Sequence, residues 1–171
     1  SSYGKVAVAK ATFKTPEDIS GWDITKVTLI VKLRGDSKPG GFKAYLGTTE
    51  LAPEDVDRTV NVCTSTLEDG TAYPSGWSST KTDNADVYFR IPCTSLNPNT
   101  TYYIYVYSPS GTTTGYQLDG STASNNKVSI EYTIKKYTVS YNANGGSGAP
   151  AAQTKTHGTN LTLSSTKPTI G

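Results

Sequence analysis

The stretch VTLIVKL, residues 27–33, decides the fold class because its apolar side chains recur at every second position. Its valines and leucines fall on one face of an extended chain, and its threonine, isoleucine and lysine fall on the other. A period of two predicts a half-buried antiparallel strand. The same alternation occurs outward along the chain in VAVA (6–9), VYFRI (87–91) and KVSIEYTI (127–134).

Clusters of turn-forming residues separate these runs, and strong helix formers are scarce. The clusters are TPED (15–18), KPGG (38–41), EDG (68–70), PSG (74–76) and NPN (97–99). Gly, Pro, Asn and Asp in such groups indicate tight turns. About seven or eight strands of this kind predict an all-β protein with an antiparallel two-sheet β-sandwich over residues 1–135. A fibronectin-like and a jelly-roll arrangement fit the pattern equally well.

The composition describes a secreted or surface β-protein with no preference for polyanions. Charged residues make up 18% of the 171 residues, and the formal net charge is +2. This balance predicts no nucleic-acid partner and no attraction to an anionic membrane surface. No apolar run approaches the roughly 20 residues that a membrane-spanning helix needs, so we expect no membrane insertion. The chain has 12 Tyr against 3 Phe, and tyrosine suits half-buried pleated surfaces.

The run LNPNTTY, residues 96–102, resembles the tyrosine corner of fibronectin type III domains. In such a corner the tyrosine ring packs in the core, and its hydroxyl bonds to the backbone just upstream. The resemblance covers about ten residues and implies a sandwich, not a particular function. It places Tyr102, Ile104 and Val106 inward, and therefore Tyr103, Tyr105 and Tyr107 on the opposite face.

The sequence pattern changes after residue 135. YTVSYNANGG (137–146), HGTNLTL (157–163) and TKPT (166–169) follow one another in this segment. In order and spacing they resemble the Listeria–Bacteroides repeat, the internalin B type of module found on Gram-positive surface proteins and prophage virion proteins. The resemblance implies that residues 136–171 are the N-terminal half of a grasp-like repeat. Short strands are expected at 137–141 and around 160–163.

This combination of a Tyr- and Thr-rich sandwich and a repeat resembles virion appendage proteins of phages that infect gut Firmicutes. The resemblance implies a non-enzymatic tail or appendage protein, located on a virion or at the cell surface. Its expected partners are other virion or surface subunits, in a homo-oligomer or a larger assembly, and host cell-wall glycan. The alternative is a bacterial surface adhesin or carbohydrate-binding module.

Three aromatic residues lie in loops rich in Gly and Ser and are candidates for ligand binding: Trp22, Tyr73 and Trp77. Flat rings with polar neighbours hold sugar rings through packing framed by hydrogen bonds. A tryptophan in such a loop also commonly plugs the end of a sandwich. The sequence leaves both roles open.

The stripe formed by Tyr103, Tyr105 and Tyr107 has three interpretations. It is an inter-sheet or docking face covered by other protein, a contact between subunits, or a platform for a glycan. If it is an assembly surface, Tyr105→Ala changes the oligomeric state and leaves the fold intact.

Cys63 and Cys93, the only two cysteines, either form one disulfide in an oxidising compartment or are small buried thiols.

Few side chains have the chemistry of catalysis or metal binding, so we expect no enzyme, no cofactor and no metal. The only histidine, His157, lies in a turn of the C-terminal segment, far in sequence from a candidate nucleophile. The paired carboxylates at 17–18, 54–57 and 68–69 fall in turns, where acidic residues are usually solvated. Gly35-Asp36 and the acidic run 83–86 carry oxygens that suit calcium, but they follow no EF-hand pattern.

Overall fold

The structure, a computed structural model, describes residues 7–35, 42–51, 63–72, 82–107, 116–118 and 127–171. These residues contain no helix, and their regular structure consists of β-strands. The strands are β1 Ala7–Lys14, β2 Trp22–Gly35, β3 Lys43–Gly47, β4 Thr64–Thr66, β5 Thr82–Pro92, β6 Thr101–Tyr107, β7 Tyr116–Leu118, β8 Lys127–Ile134, β9 Lys136–Val139 and β10 Gln153–Thr156.

The chain divides into two compact units. The first unit comprises Ser1–Ile19 and Ile24–Glu131, and the second comprises Ser20–Asp23 and Tyr132–Gly171. The division after residue 131 lies close to the predicted boundary after residue 135. The second unit includes the short segment 20–23 because the carbonyl oxygen of Gly21 accepts a hydrogen bond of 2.8 Å from the backbone N–H of Lys135.

Two main antiparallel sheets build the first unit. One has the order β1-β6-β3, and the other has the order β4-β5-β2-β7, with β8 also paired to β2. The predicted strand at 27–33 lies within β2, where Leu29 pairs with Phe89 of β5. The prediction of an all-β protein with two antiparallel sheets is confirmed.

The core of the first unit consists of alternate side chains from both sheets. Alternation places residues of β2 and β5 on one side of the core and residues of β1, β3 and β6 on the other. Phe42 and Phe89 meet edge to face, with ring centroids 5.1 Å apart. The most completely buried apolar residues are Val27, Leu29, Val31, Phe42, Val87, Phe89, Ile91, Ile104 and Val106.

The structure contains the hydrogen bond and the buried ring that are expected for the run LNPNTTY. The backbone N–H of Asn97 donates a hydrogen bond of 2.7 Å to the hydroxyl of Tyr102. The Tyr102 ring is buried and stacks on Phe13, with centroids 5.5 Å apart. Thr15 closes the other side of the corner, because its hydroxyl donates to the Asn97 carbonyl at 2.6 Å and accepts from the Thr100 N–H at 2.9 Å. Ile104 also points inward, as predicted.

The second unit contains the antiparallel pair β9 and β10. The NANGG stretch after β9 forms a turn in which Asn144 and Gly145 have φ angles of 50° and 89°. Both values lie in the left-handed region that Asn and Gly tolerate. The Gly146 N–H donates to the Ala143 carbonyl at 3.0 Å and closes the turn.

The predicted strand around 160–163 is wrong, because the partner of β9 is QTKT at 153–156, several residues earlier. Residues 160–164 are fixed by hydrogen bonds that involve side chains, and not by backbone pairing with another strand. The Gln153 amide donates to the Thr162 carbonyl at 3.0 Å, and the Ser164 N–H donates to the Tyr141 hydroxyl at 2.9 Å. QTKT is polar at all four positions, so the period-two signal that indicates a half-buried strand is absent from it.

Candidate functional site

The candidate site lies on the outer face of the β1-β6-β3 sheet. Because Ile104 points into the core, its neighbours Tyr103 and Tyr105 on β6 point outward. Tyr105 pairs with Lys10 on one side and Tyr45 on the other. In the next outward-facing row, Tyr103 pairs with Thr12 and Gly47. Rings, hydroxyls and charges therefore share one face of three adjacent strands.

Tyr105 is covered by residues of its own chain. Only 5% of its surface is exposed, and its ring packs against Tyr45 with centroids 5.7 Å apart. The Leu51 N–H donates a hydrogen bond of 3.0 Å to its hydroxyl. The covering residues include Tyr45 and Leu51 of the same chain. Tyr105 is thus poorly placed to contact another molecule.

Tyr103 is the accessible ring of the pair. It is half-buried on β6, two residues from Tyr105 on the same face. Gly47, its partner on β3, has no side chain of its own, and the Tyr45 ring fills the space above it. A Cβ atom at Gly47 would lie 2.6 Å from Cζ of Tyr45, closer than packed carbon atoms approach. The absence of that Cβ lets Tyr45 lie along β3 without hindrance.

An open groove of about 650 Å³ runs over Tyr103. This volume falls in the range of roughly 300–1,000 Å³ that is typical of small-molecule sites. Lys10 and Thr12 line it from β1, and Glu50 and Leu51 line it from the segment after β3. The groove thus offers a flat ring, a hydroxyl, a cationic donor and an anionic acceptor. The lining residues are Lys10, Ala11, Thr12, Glu50, Leu51, Tyr103 and Tyr105.

Of the other predicted aromatic residues, the structure describes Trp22 and the backbone of Tyr107. Trp22 belongs to the second unit, where it stacks on Tyr132 with centroids 3.8 Å apart and an interplanar angle of 5°. Tyr107 is placed by its backbone on β6, where it pairs with Ala7 and Lys43. The candidate residues Tyr73 and Trp77 lie outside the described residues.

Both cysteines are free thiols in the structure. Cys63 is buried in the core of the first unit, and burial raises the pKa of its thiol to about 12. Cys93 is half-buried, and its Sγ donates to the Ser95 carbonyl at 3.4 Å. Partial burial raises the pKa of Cys93 as well. Cys63 therefore has the environment of an inert core thiol at neutral pH.

The polar candidates that the structure describes have local partners, and the candidates at residues 36 and 54–57 lie outside the described residues. The Nδ1 atom of His157 is 3.4 Å from the Tyr137 hydroxyl in the second unit. Asp69 closes its own turn by accepting from the Thr71 N–H at 2.9 Å, and this hydrogen bond lowers the Asp69 pKa. The acidic run 83–86 lies within β5. Across the described ranges, no three His, Cys, Asp or Glu side chains converge in a way that would hold a metal ion.

Comparison with known proteins adds no relative. The family models, the curated proteins and the solved structures all gave no match. The resemblance of residues 136–171 to an internalin B-type repeat therefore stays a prediction.

In the part of the chain that the structure describes, no helix is long and apolar enough to span a membrane.

Sequence reasoning missed most of the groove. It identified Tyr103 and Tyr105 but not Lys10, Thr12 or Glu50. The alternation in β1 carries a signal for Lys10 and Thr12, because they alternate with the buried Ala9. Nothing in the local sequence of Glu50 shows that it approaches β6, since that approach depends on the pairing of β3 with β6.

Proposed function

We propose that the protein is a non-enzymatic attachment protein that holds a carbohydrate in the groove over Tyr103. The observation that carries this proposal is the accessible Tyr103 ring with Lys10 and Glu50 beside it in one open groove. An aromatic face takes the C–H face of a sugar ring, and the flanking polar groups take its hydroxyls. Attachment of this kind needs no acid–base pair and no metal.

The setting that we propose is a phage virion, with the protein in the tail or an appendage that contacts glycan on the host surface. The Tyr- and Thr-rich sandwich followed by the repeat-like segment supports this setting. A bacterial surface adhesin or a carbohydrate-binding module is the alternative. The chemistry of the groove is the same in all three cases, so one binding experiment tests them together.

We expect the protein to bind an oligosaccharide in a glycan screen, and Tyr103→Ala to weaken that binding about tenfold or more. A tenfold loss of affinity corresponds to about 1.4 kcal/mol. The loss of one stacking contact between a ring and a sugar, together with the hydrogen bonds around it, has a cost of this size. Isothermal titration calorimetry measures the dissociation constants. Tyr88→Ala is the matched control, because Tyr88 is also half-buried but lies on β5 in the other sheet.

Two results would count against this proposal. The first is equal affinity for the Tyr103→Ala and Tyr88→Ala variants, which would place the ligand elsewhere. The second is saturable hydrolysis of a polysaccharide by the purified protein, which would make it an enzyme.

Assembly with other protein subunits is the second candidate function, and one observation favours it. The large hydrophobic side chains that are markedly exposed in the described residues all lie in the second unit, with 42–89% of their surface open. A contiguous exposed apolar patch marks a contact surface, and we propose that these side chains contribute to one. The residues are Tyr132, Ile134, Tyr137, Leu163 and Ile170.

If these side chains contact other copies or other subunits, the protein sediments as an oligomer or within a larger assembly. Ile134→Ser should then weaken association about tenfold, because a buried apolar side chain of this size contributes about 1.5–3 kcal/mol. Analytical ultracentrifugation over a concentration series measures the change. Ile30→Ser, on β2 of the first unit, is the control. A wild-type protein that sediments as a single chain at all concentrations rules out self-association.

A further inference from the structure

The segment Gly47–Leu51, which follows β3, supplies Glu50 and Leu51 to the lining of the groove. Two tyrosine hydroxyls on the sheet hold it. The Tyr45 hydroxyl donates to the Thr49 carbonyl at 3.4 Å, and the Leu51 N–H donates to the Tyr105 hydroxyl at 3.0 Å. One anchor therefore precedes Glu50 in the chain and the other follows it.

This arrangement restricts the backbone of Glu50. An exposed side chain on a free loop loses much conformational entropy when it binds a ligand. Fixing the backbone on both sides of Glu50 removes part of that cost before the ligand arrives. Tyr105 is buried and the Tyr45 ring packs against it, so the two anchoring rings support each other.

We infer that Glu50 is the specificity-determining residue of the groove, that Tyr45 and Tyr105 position it, and that the ligand is a neutral saccharide with adjacent free hydroxyls. This inference rests on the proposed carbohydrate binding. Tyr103 contacts the ligand with its ring, whereas Tyr45 and Tyr105 hold the segment that bears Glu50.

The charges of the groove favour a neutral ligand. Lys10 and Glu50 have opposite signs, so attraction by one offsets repulsion by the other, and the groove has no net charge that would favour an anionic or a cationic polymer. A neutral polyol can bond to both residues, because an ammonium group has three donors and a carboxylate has two acceptor oxygens. Two adjacent hydroxyls donate to the two oxygens of the Glu50 carboxylate, and a third hydroxyl accepts from the Lys10 ammonium. Hydrogen bonds with one charged partner are stronger than those between neutral groups.

The test combines affinity with backbone protection. Hexasaccharides of glucose, mannose and galactose are the neutral probes, and hexagalacturonate and a chitosan hexamer are the anionic and cationic ones. We expect the tightest binding from a neutral hexasaccharide. Glu50→Gln should weaken that binding about tenfold, while Glu17→Gln, at an exposed carboxylate outside the groove, should leave it unchanged.

Tyr105→Phe removes only the hydroxyl that accepts from Leu51. We expect amide hydrogen exchange at Leu51 to become about fivefold faster and the affinity to fall about threefold or more, because the segment opens more often. Exchange at Val27 in the core should not change, which separates lost positioning from a loss of global stability. Glu50→Gln should leave exchange at Leu51 unchanged.

The outcomes separate this inference from the proposed function. If neutral hexasaccharides bind through Tyr103 but Glu50→Gln or Tyr105→Phe leaves the affinity unchanged, the inference is wrong and carbohydrate binding stands. Tighter binding of the anionic or cationic hexamer also overturns the inference alone. If no oligosaccharide of either charge class or of the neutral set binds, both proposals fail, whatever the exchange data show.

Discussion

Phe89→Ala should lower the free energy of unfolding of the first unit by about 3–5 kcal/mol, the usual cost of truncating a buried phenylalanine. Phe89 is fully buried at the centre of β5 and meets Phe42 edge to face at 5.1 Å. Its removal loses both the transfer free energy of the ring and the contacts around the cavity that remains. Because the free energy of unfolding of a folded domain is only about 5–15 kcal/mol, this one substitution removes a large fraction of it.

Urea unfolding followed by circular dichroism measures the loss. The control is Tyr88→Ala, which truncates the next aromatic residue on the same strand but on the opposite face. Tyr88 carries the Arg90 guanidinium over its ring, 5.1 Å from the centroid. Loss of that contact and of partial burial should cost only about 1 kcal/mol. Equal costs for the two variants would show that Phe89 is not in the core.

The central strands could be predicted from the sequence because their side-chain pattern is local. VTLIVKL and VYFRI alternate so regularly that only one face of each strand can be the buried one. The corner formed by LNPNTTY was predictable for the same reason, since the bond from Asn97 to Tyr102 spans five residues. β10 could not be found in this way, because it is short and polar and its strand character comes from pairing with β9.

The candidate site was predictable only in part. Alternation places Tyr103 and Tyr105 on the same outer face, but it gives no reason to treat them differently. The difference arises from the segment after β3, which covers Tyr105 and leaves Tyr103 accessible. That contact joins residues 54 positions apart, Leu51 and Tyr105, and no local pattern encodes it. Trp22 likewise lies beside Tyr132, a partner distant in sequence.

Cys63 should make the stability of the first unit fall at alkaline pH. Burial raises the pKa of its thiol from 9.0 to about 12, so the folded protein keeps the proton over a range in which the unfolded chain releases it. The stability from the neutral thiol is therefore fully present below about pH 9. It is lost as the pH rises toward 12, at up to about 1.4 kcal/mol per pH unit. Urea unfolding at a series of pH values measures this slope.

Cys63→Ala is the control, because it keeps a small apolar side chain in the core and removes the titrating group. The difference in slope between this variant and the wild type isolates Cys63 from the tyrosines and lysines that titrate in the same range. At pH 8 the folded protein also has roughly 10³-fold less Cys63 thiolate than the unfolded chain, since the two pKa values differ by about three units. A thiol reagent should accordingly label Cys63 far more slowly in the native protein than in urea. Identical pH slopes for the two proteins, or an intact mass lower by the two hydrogens of a disulfide, would contradict a buried free thiol.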